Sequence, residues 1–183
     1  NNNLGGIAVR QGRLDAALGY YQQALRQLQQ IHGSVWVFGA LHQNIGNTLL
    51  QRSELDAASL ELQSALDYFN QAKVRDLLPE LYGQFAELHL RQNDLDAAER
   101  DGQQSLELAR ELTMPREEGH NLRIMGEIAL ARGDVRRAEE FLQSSYTMLS
   151  EADDEYECGR TQLILVELYL LQKKYEDGRK LLA

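Results

Sequence analysis

The chain has 183 residues, 43% of them hydrophobic and 26% charged, which is enough apolar mass for a folded core and lies outside the composition of disordered chains. Its 19 basic and 28 acidic residues give a net charge of −9 with no Lys/Arg run, which speaks against a nucleic-acid partner, because counterion release needs clustered positive charge. The single cysteine, Cys158, excludes an internal disulfide framework, and only Pro79 and Pro115 interrupt stretches free to be helical.

The N-terminus, Asn1-Asn2-Asn3-Leu4-Gly5-Gly6, has neither the basic start nor the apolar run of a signal peptide. The first phrase of a repeat follows at Gly12–Leu18, and it returns at Ser53–Ser59, Asn93–Glu99, Gly133–Glu139 and Lys173–Arg179. The third residues of these phrases, Leu14, Leu55, Leu95, Val135 and Tyr175, are spaced 41, 40, 40 and 40 apart. After the first phrase, Leu14, Ala17, Leu18, Tyr21, Ala24, Leu25 and Leu28 form the stripe of an amphipathic helix, helix B. Before the second phrase, Leu41, Ile45, Thr48 and Leu49 form a similar stripe, helix A. Each unit thus reads as two helices.

The A-to-B turns carry Gly12, Ser53, Asn93, Gly133 and Lys173, where Gly and Asn suit a left-handed residue closing helix A. Asp94 and Asp134 stand where a side chain caps helix B, and Asp15, Asp56, Asp96 and Glu176 favour its positive N-terminal end. The B-to-A connections are expected at Ile31–Ser34, about 71–76, Leu112–Met114 and about 150–154, with Ser34 and Asp154 as caps. Pro115 fits the first position of its helix, and Pro79 should lie within the first turn, where N–H groups are still free. The longest apolar run, Leu163–Val166, is far short of the ~20 residues of a spanning helix, so a soluble, cytoplasmic chain without membrane contact is expected.

The units resemble tetratricopeptide repeats (TPR), in which a large apolar residue, a Leu-Gly pair and an aromatic mark helix A and small residues mark helix B. The Leu-Gly pair reads Leu4-Gly5, Ile45-Gly46, Phe85-Ala86, Met125-Gly126 and Leu165-Val166. The first small residue of helix B is Ala17, Ala58, Ala98, Ala138 or Gly178, and the second is Ala24, Ala65, Ser105 or Ser145. The aromatic before the turn becomes Ala8, Leu49, His89 and Ala129 and survives only as Tyr169. The period is 40 rather than 34, so each helix is longer by close to a turn. That longer period resembles arrays that follow bacterial signalling ATPases, nucleotide cyclases and transcription activators. The resemblance implies an all-α, right-handed superhelical solenoid of antiparallel helix pairs: a single array over 1–183 with repeats 1–33, 34–73, 74–113, 114–153 and 154–183. Both ends read as cut through a repeat, so the array is expected to be a piece of a longer one. A HEAT-type array of similar period is the other fold considered, and it does not require the Ala/Gly phase.

Catalytic signals are missing. No phosphate-binding Gly-rich motif occurs, and His32, His42, His89 and His120 are dispersed, with only His32/His42 at ten-residue spacing. Cys158 has no His at helical spacing and sits in an acidic stretch that would raise its pKa. Asp153–Glu157 lacks the alternating pattern of a calcium loop and reads as a solvated helix start. A non-enzymatic chain without metal or cofactor is expected.

Such a solenoid carries a groove lined by its A helices. One row there is Gly6, Asn47, Glu87, Glu127 and Glu167; four residues earlier stand Asn2, Gln43, Gly83, Arg123 and Leu163, and four later Arg10, Gln51, Arg91, Ala131 and Leu171. The expected partner-binding residues are the amides Gln43, Asn44, Asn47, Gln51 and Gln84, the carboxylates Glu87, Glu127 and Glu167, and Arg91 and Arg123. The charge is +1 over residues 1–60, −7 over 61–120 and −3 over 121–183, so a basic protein or peptide partner is expected. The lysine–asparagine clamp of chaperone-binding relatives is not matched, because Gln43 replaces its first lysine although Asn47 fits its asparagine. A sensor whose groove takes a small molecule or signalling peptide is the alternative. Apolar Leu163 and Leu171 at groove positions lead to an expectation of self-association through an array end or the groove.

Overall fold

The computed structural model describes residues 1–31 and 33–181. The expected His32/His42 spacing and the end of the last helix at Leu182-Ala183 lie outside the described residues. Every regular element among the described residues is a helix. The elements are α1 (Asn2–Arg10), α2 (Leu14–Gln30), α3 (Val35–Gln51), α4 (Leu55–Ala72), α5 (Leu78–Arg91), α6 (Leu95–Glu111), α7 (Pro115–Ala131), α8 (Val135–Glu151), α9 (Glu155–Leu171) and α10 (Tyr175–Leu181). Odd-numbered helices are the A helices and even-numbered ones the B helices of the repeat. The chain forms two compact units, Asn1–Gln92 with α1 to α5 and Asn93–Ala183 with α6 to α10.

The turns explain the register. All five A-to-B turn residues adopt positive φ: Gly12 (70°), Ser53 (61°), Asn93 (62°), Gly133 (78°) and Lys173 (59°). The chain then closes α1, α3, α7 and α9 with a backward bond, as in Glu54 N–H to Leu49 C=O at 3.0 Å and Asp134 N–H to Ala129 C=O at 2.9 Å. Asp94, Asp134 and Asp154 cap the following helices by accepting the N–H of Ala97, Arg137 and Glu157. Ser34 occupies the expected cap position of α3, but its side chain makes no capping bond. Lys73, Thr113 and Asp153, one in each of three successive B-to-A turns, also take positive φ, which composition does not betray.

Pro79 sits one residue inside α5, whose 14 residues compare with 17 in α3, α7 and α9. A proline ring clashes with the carbonyl four residues back, so the helix cannot be extended upstream to the length of its equivalents.

Helix pairs approach closely because glycine leaves room. A Cβ at Gly46 would stand 2.7 Å from Leu62 Cδ2, and one at Gly126 would stand 2.6 Å from Leu142 Cγ. In the first unit Tyr21, Leu41, Ile45, Leu62, Phe69 and Leu81 build the core between α1 and α5. In the second unit Leu142 packs with Leu165, Leu168 and Tyr169. A polar staple joins the ends of α3, α7 and α9 to the B helix before each: Arg52 to Asp15 at 2.7 Å, Arg132 to Asp96 at 2.6 Å, and Gln172 to Glu139 at 3.1 Å. Among the described residues no helix is long and apolar enough to cross a membrane.

Candidate partner-binding face

In the first unit the A helices α1, α3 and α5 bring together the expected amides. Asn44 Nδ2 donates to Asn2 Oδ1 at 3.1 Å, linking α3 to α1. The repeat-equivalent pair one step along is Gln84 on α5 with Gln43 on α3, and it makes no such bond. Gln43 and Gln84 are only 4% and 8% exposed, yet Gln43 Nε2 and Gln84 Oε1 have no hydrogen-bond partner. The Gln84 amide is oriented by its own Nε2, which donates to Glu80 Oε1 at 3.2 Å, leaving its oxygen bare. A donor and an acceptor are thus left unmet on neighbouring A helices, where burial makes each unmet group costly.

Around them the face is polar. Arg91 donates to Leu50 C=O at 2.7 Å and pairs with Glu87 at 2.6 Å, so it bridges two repeats and neutralises Glu87. Asn47 is half-buried and Gln51 exposed.

In the second unit α7 and α9 hold a charged cluster. Arg123, only 1% exposed, pairs with Glu127 one turn along its helix and reaches Glu157 Oε2 on α9 with its Nε at 3.2 Å. That Nε lies at ion-pair distance without hydrogen-bond geometry, so the contact is chiefly coulombic. Glu157 is also met by His120 at 2.9 Å and by Arg160 at 3.1 Å. Burial alone would raise its pKa, but the hydrogen bond and charge of His120 and the charges of Arg123 and Arg160 outweigh it and hold it at about 2. Beside it Arg116 pairs with Asp154 at 2.6 Å. Glu167 is exposed on α9, flanked one turn away on either side by Leu163 (63% exposed) and Leu171 (82%).

Several expected groove residues therefore stand differently from their reading as surface groups. Gln43, Gln84 and Arg123 are buried, because the positions two and three before the helix A glycine lean into the junction with a neighbouring A helix. Glu127 is not a free rung of carboxylate, since Arg123 neutralises it. Sequence reading missed Asn2 as the partner of Asn44 and Glu157 as the hub of the second cluster. Glu157 hid inside an acidic run that resembles ordinary helix-start decoration, and its role appears only once α9 is laid beside Arg123. Cys158 follows expectation: burial, and then the charge of Asp154, raise its pKa and blunt its nucleophilicity. Among the described residues no group of His, Cys, Asp or Glu could hold a metal ion.

These features can be set beside known proteins. Comparison with curated proteins gives no match. The fold of a Rap protein complexed with competence and sporulation factor superposes with a TM-score of 0.88 at 15% identity, covering 97% of this chain and 49% of that one. Aspartyl phosphate phosphatase F from Bacillus subtilis gives 0.79 at 11% identity, covering 97% and 46%. A signal transduction ATPase with a tetratricopeptide repeat sensor, from Pyrococcus horikoshii, gives 0.75 at 16% identity, covering 98% and 27%. The chain spans about half the length of the Rap protein, and at these identities the likeness is one of fold. The MalT-like TPR region matches residues 2–182, in keeping with the tetratricopeptide resemblance of the repeats. The chain belongs to the MalT-like TPR region family.

Proposed function

We propose that this chain is a non-catalytic interaction module whose first-unit A-helix face binds a peptide segment of a partner. The observation that carries this reading is the unmet pair Gln43 Nε2 and Gln84 Oε1 on adjacent helices. A peptide group offers a carbonyl to the first and an N–H to the second; both atoms are covered in the free chain, so the side chains over them move aside as it docks. Asn44, Asn47 and Gln51 extend the same polar strip along α3, and Arg91 with Glu87 borders it on α5. The solved structure of a Rap protein in complex with a factor, and that of a signalling ATPase whose repeats are described as a sensor, support a ligand-receiving role for this fold.

A basic partner fits the net charge of −9. In the second unit Glu167 is the exposed carboxylate available to it, with Glu127 as a second once Arg123 is displaced. The exposed Leu163 and Leu171 beside Glu167 also provide apolar surface for self-association. A cytoplasmic place within a larger signalling protein belongs to this same reading.

The test is selection from a random peptide display library, followed by affinity measurement on a Gln43→Leu/Gln84→Leu variant. The proposal expects the wild type to enrich specific peptides. It expects the variant to bind them at least about tenfold more weakly, the loss of one or two well-made hydrogen bonds. It also expects the variant to remain folded, since it removes two unmet polar groups. Failure to enrich any peptide, or equal affinity in the variant, overturns it.

A further inference from the structure

A second candidate site lies within the second unit. The second unit has a cleft of about 570 Å³ walled by α6, α7 and α8, within the size range of small-molecule sites. Its apolar wall is Leu122, Phe141 and Met148, and its polar rim is Arg110, Glu118 and Glu140.

The repeat shows why this cleft is open. Helix α7 is α3 displaced by eighty residues, and α8 starts eighty residues after α4. The counterparts of Glu118, Leu122, Phe141 and Met148 are therefore Phe38, His42, Glu61 and Tyr68. In the first unit those side chains fill the space. Phe38 stacks on Tyr68 with ring centroids 5.5 Å apart, His42 stacks on Tyr68 at 5.4 Å, and Glu61 binds His42 Nδ1 at 2.6 Å. In the second unit a carboxylate, a leucine and a thioether replace the three rings, and the cleft stands open. Leu122, Phe141 and the Met148 sulfur are surfaces on which a flat ring packs well. Arg110 Nε pairs with Glu118 at 2.6 Å and neutralises that corner. Glu140 then gives the rim its net negative charge. Arg137 lies over the Phe141 ring at 5.3 Å.

We propose that this cleft binds a small planar aromatic molecule bearing a positive charge, which takes the place that Phe38, His42 and Tyr68 occupy in the first unit. The ring lies against Leu122, Phe141 and Met148, and its cationic group faces Glu140. The site is independent of the peptide face of the first unit.

The probe is tryptamine, titrated into the full chain by ligand-observed NMR and calorimetry, with indole-3-acetate as the anionic control. The expected result is saturable one-to-one binding of tryptamine. Indole-3-acetate should bind at least about fivefold more weakly, the size of one partly screened charge contact. Glu118→Phe/Met148→Tyr rebuilds the ring stack of the first unit and should abolish binding. Ser144→Trp, an exposed cleft position, should block the mouth without disturbing the core, so a folding failure in the first variant leaves a second reading. Gln43→Leu/Gln84→Leu should leave tryptamine binding unchanged. Absence of saturable binding to the wild type, or unchanged affinity in Ser144→Trp, overturns the proposal.

Discussion

Arg123 is 1% exposed and carries a full charge, so its environment sets the electrostatics of the second unit. Removing Glu157 would leave that guanidinium with Glu127 alone, and uncompensated buried charge is costly. Glu157→Gln is therefore expected to destabilise the chain by about 3 kcal/mol at neutral pH, measured by denaturant unfolding. The same group fixes a pH dependence. The folded pKa of Glu157 is about 2, below the ordinary 4.5, so its contribution is complete above about pH 4.5 and is lost as pH falls towards 2. Wild type and Glu157→Gln should therefore converge in stability between those values, and parallel curves would contradict this account. A second residue-scale expectation concerns packing. Gly126→Ala places a Cβ 2.6 Å from Leu142 Cγ, with Ala138 C=O also close, and should cost about 1–3 kcal/mol as overpacking. Thermal unfolding of the variant checks this.

At the scale of the element, the turns were the most legible part of the chain. Gly12, Asn93 and Gly133 recur at one phase and favour left-handed backbone, and the structure places all five turn residues there. The left-handed conformation of Thr113 was not legible, because nothing in its own chemistry favours it. A β-branched residue at φ 55° is strained, so Thr113→Gly should raise stability by about 1 kcal/mol, measured by chemical denaturation. The polar staple carries a similar lesson. Arg52 and Arg132 reach Asp15 and Asp96, while Gln92 stands at the corresponding place opposite Asp56. Gln92→Arg should supply the missing pair and raise Tm by no more than about a degree or two, since exposed pairs contribute little. Which A-helix residues are buried was harder to read. Gln43, Gln84 and Arg123 look like surface groups by composition, and only the stacking of neighbouring A helices covers them. A helical stripe shows which residues share a face; it does not show how deeply the next repeat buries that face.

For the molecule as a whole, the 40-residue period made the fold class legible, and residues 2–182 match the MalT-like TPR region. The partner was not legible, because an interaction face is specified by shape and unmet hydrogen-bonding groups, and periodicity records neither. The two unmet atoms on α3 and α5 emerged only from the packed structure. At this scale the exposed Leu163 and Leu171 predict concentration-dependent self-association, which light scattering measures and Leu163→Glu/Leu171→Glu should suppress. The central claim is that a peptide group bridges Gln43 and Gln84. Its most direct measurement is the NMR signal of the Gln43 side-chain amide protons during titration with a library-selected peptide. The account predicts a saturating downfield shift and slowed solvent exchange as Nε2 gains its acceptor; an unchanged Gln43 signal in a chain that has bound the peptide would contradict it.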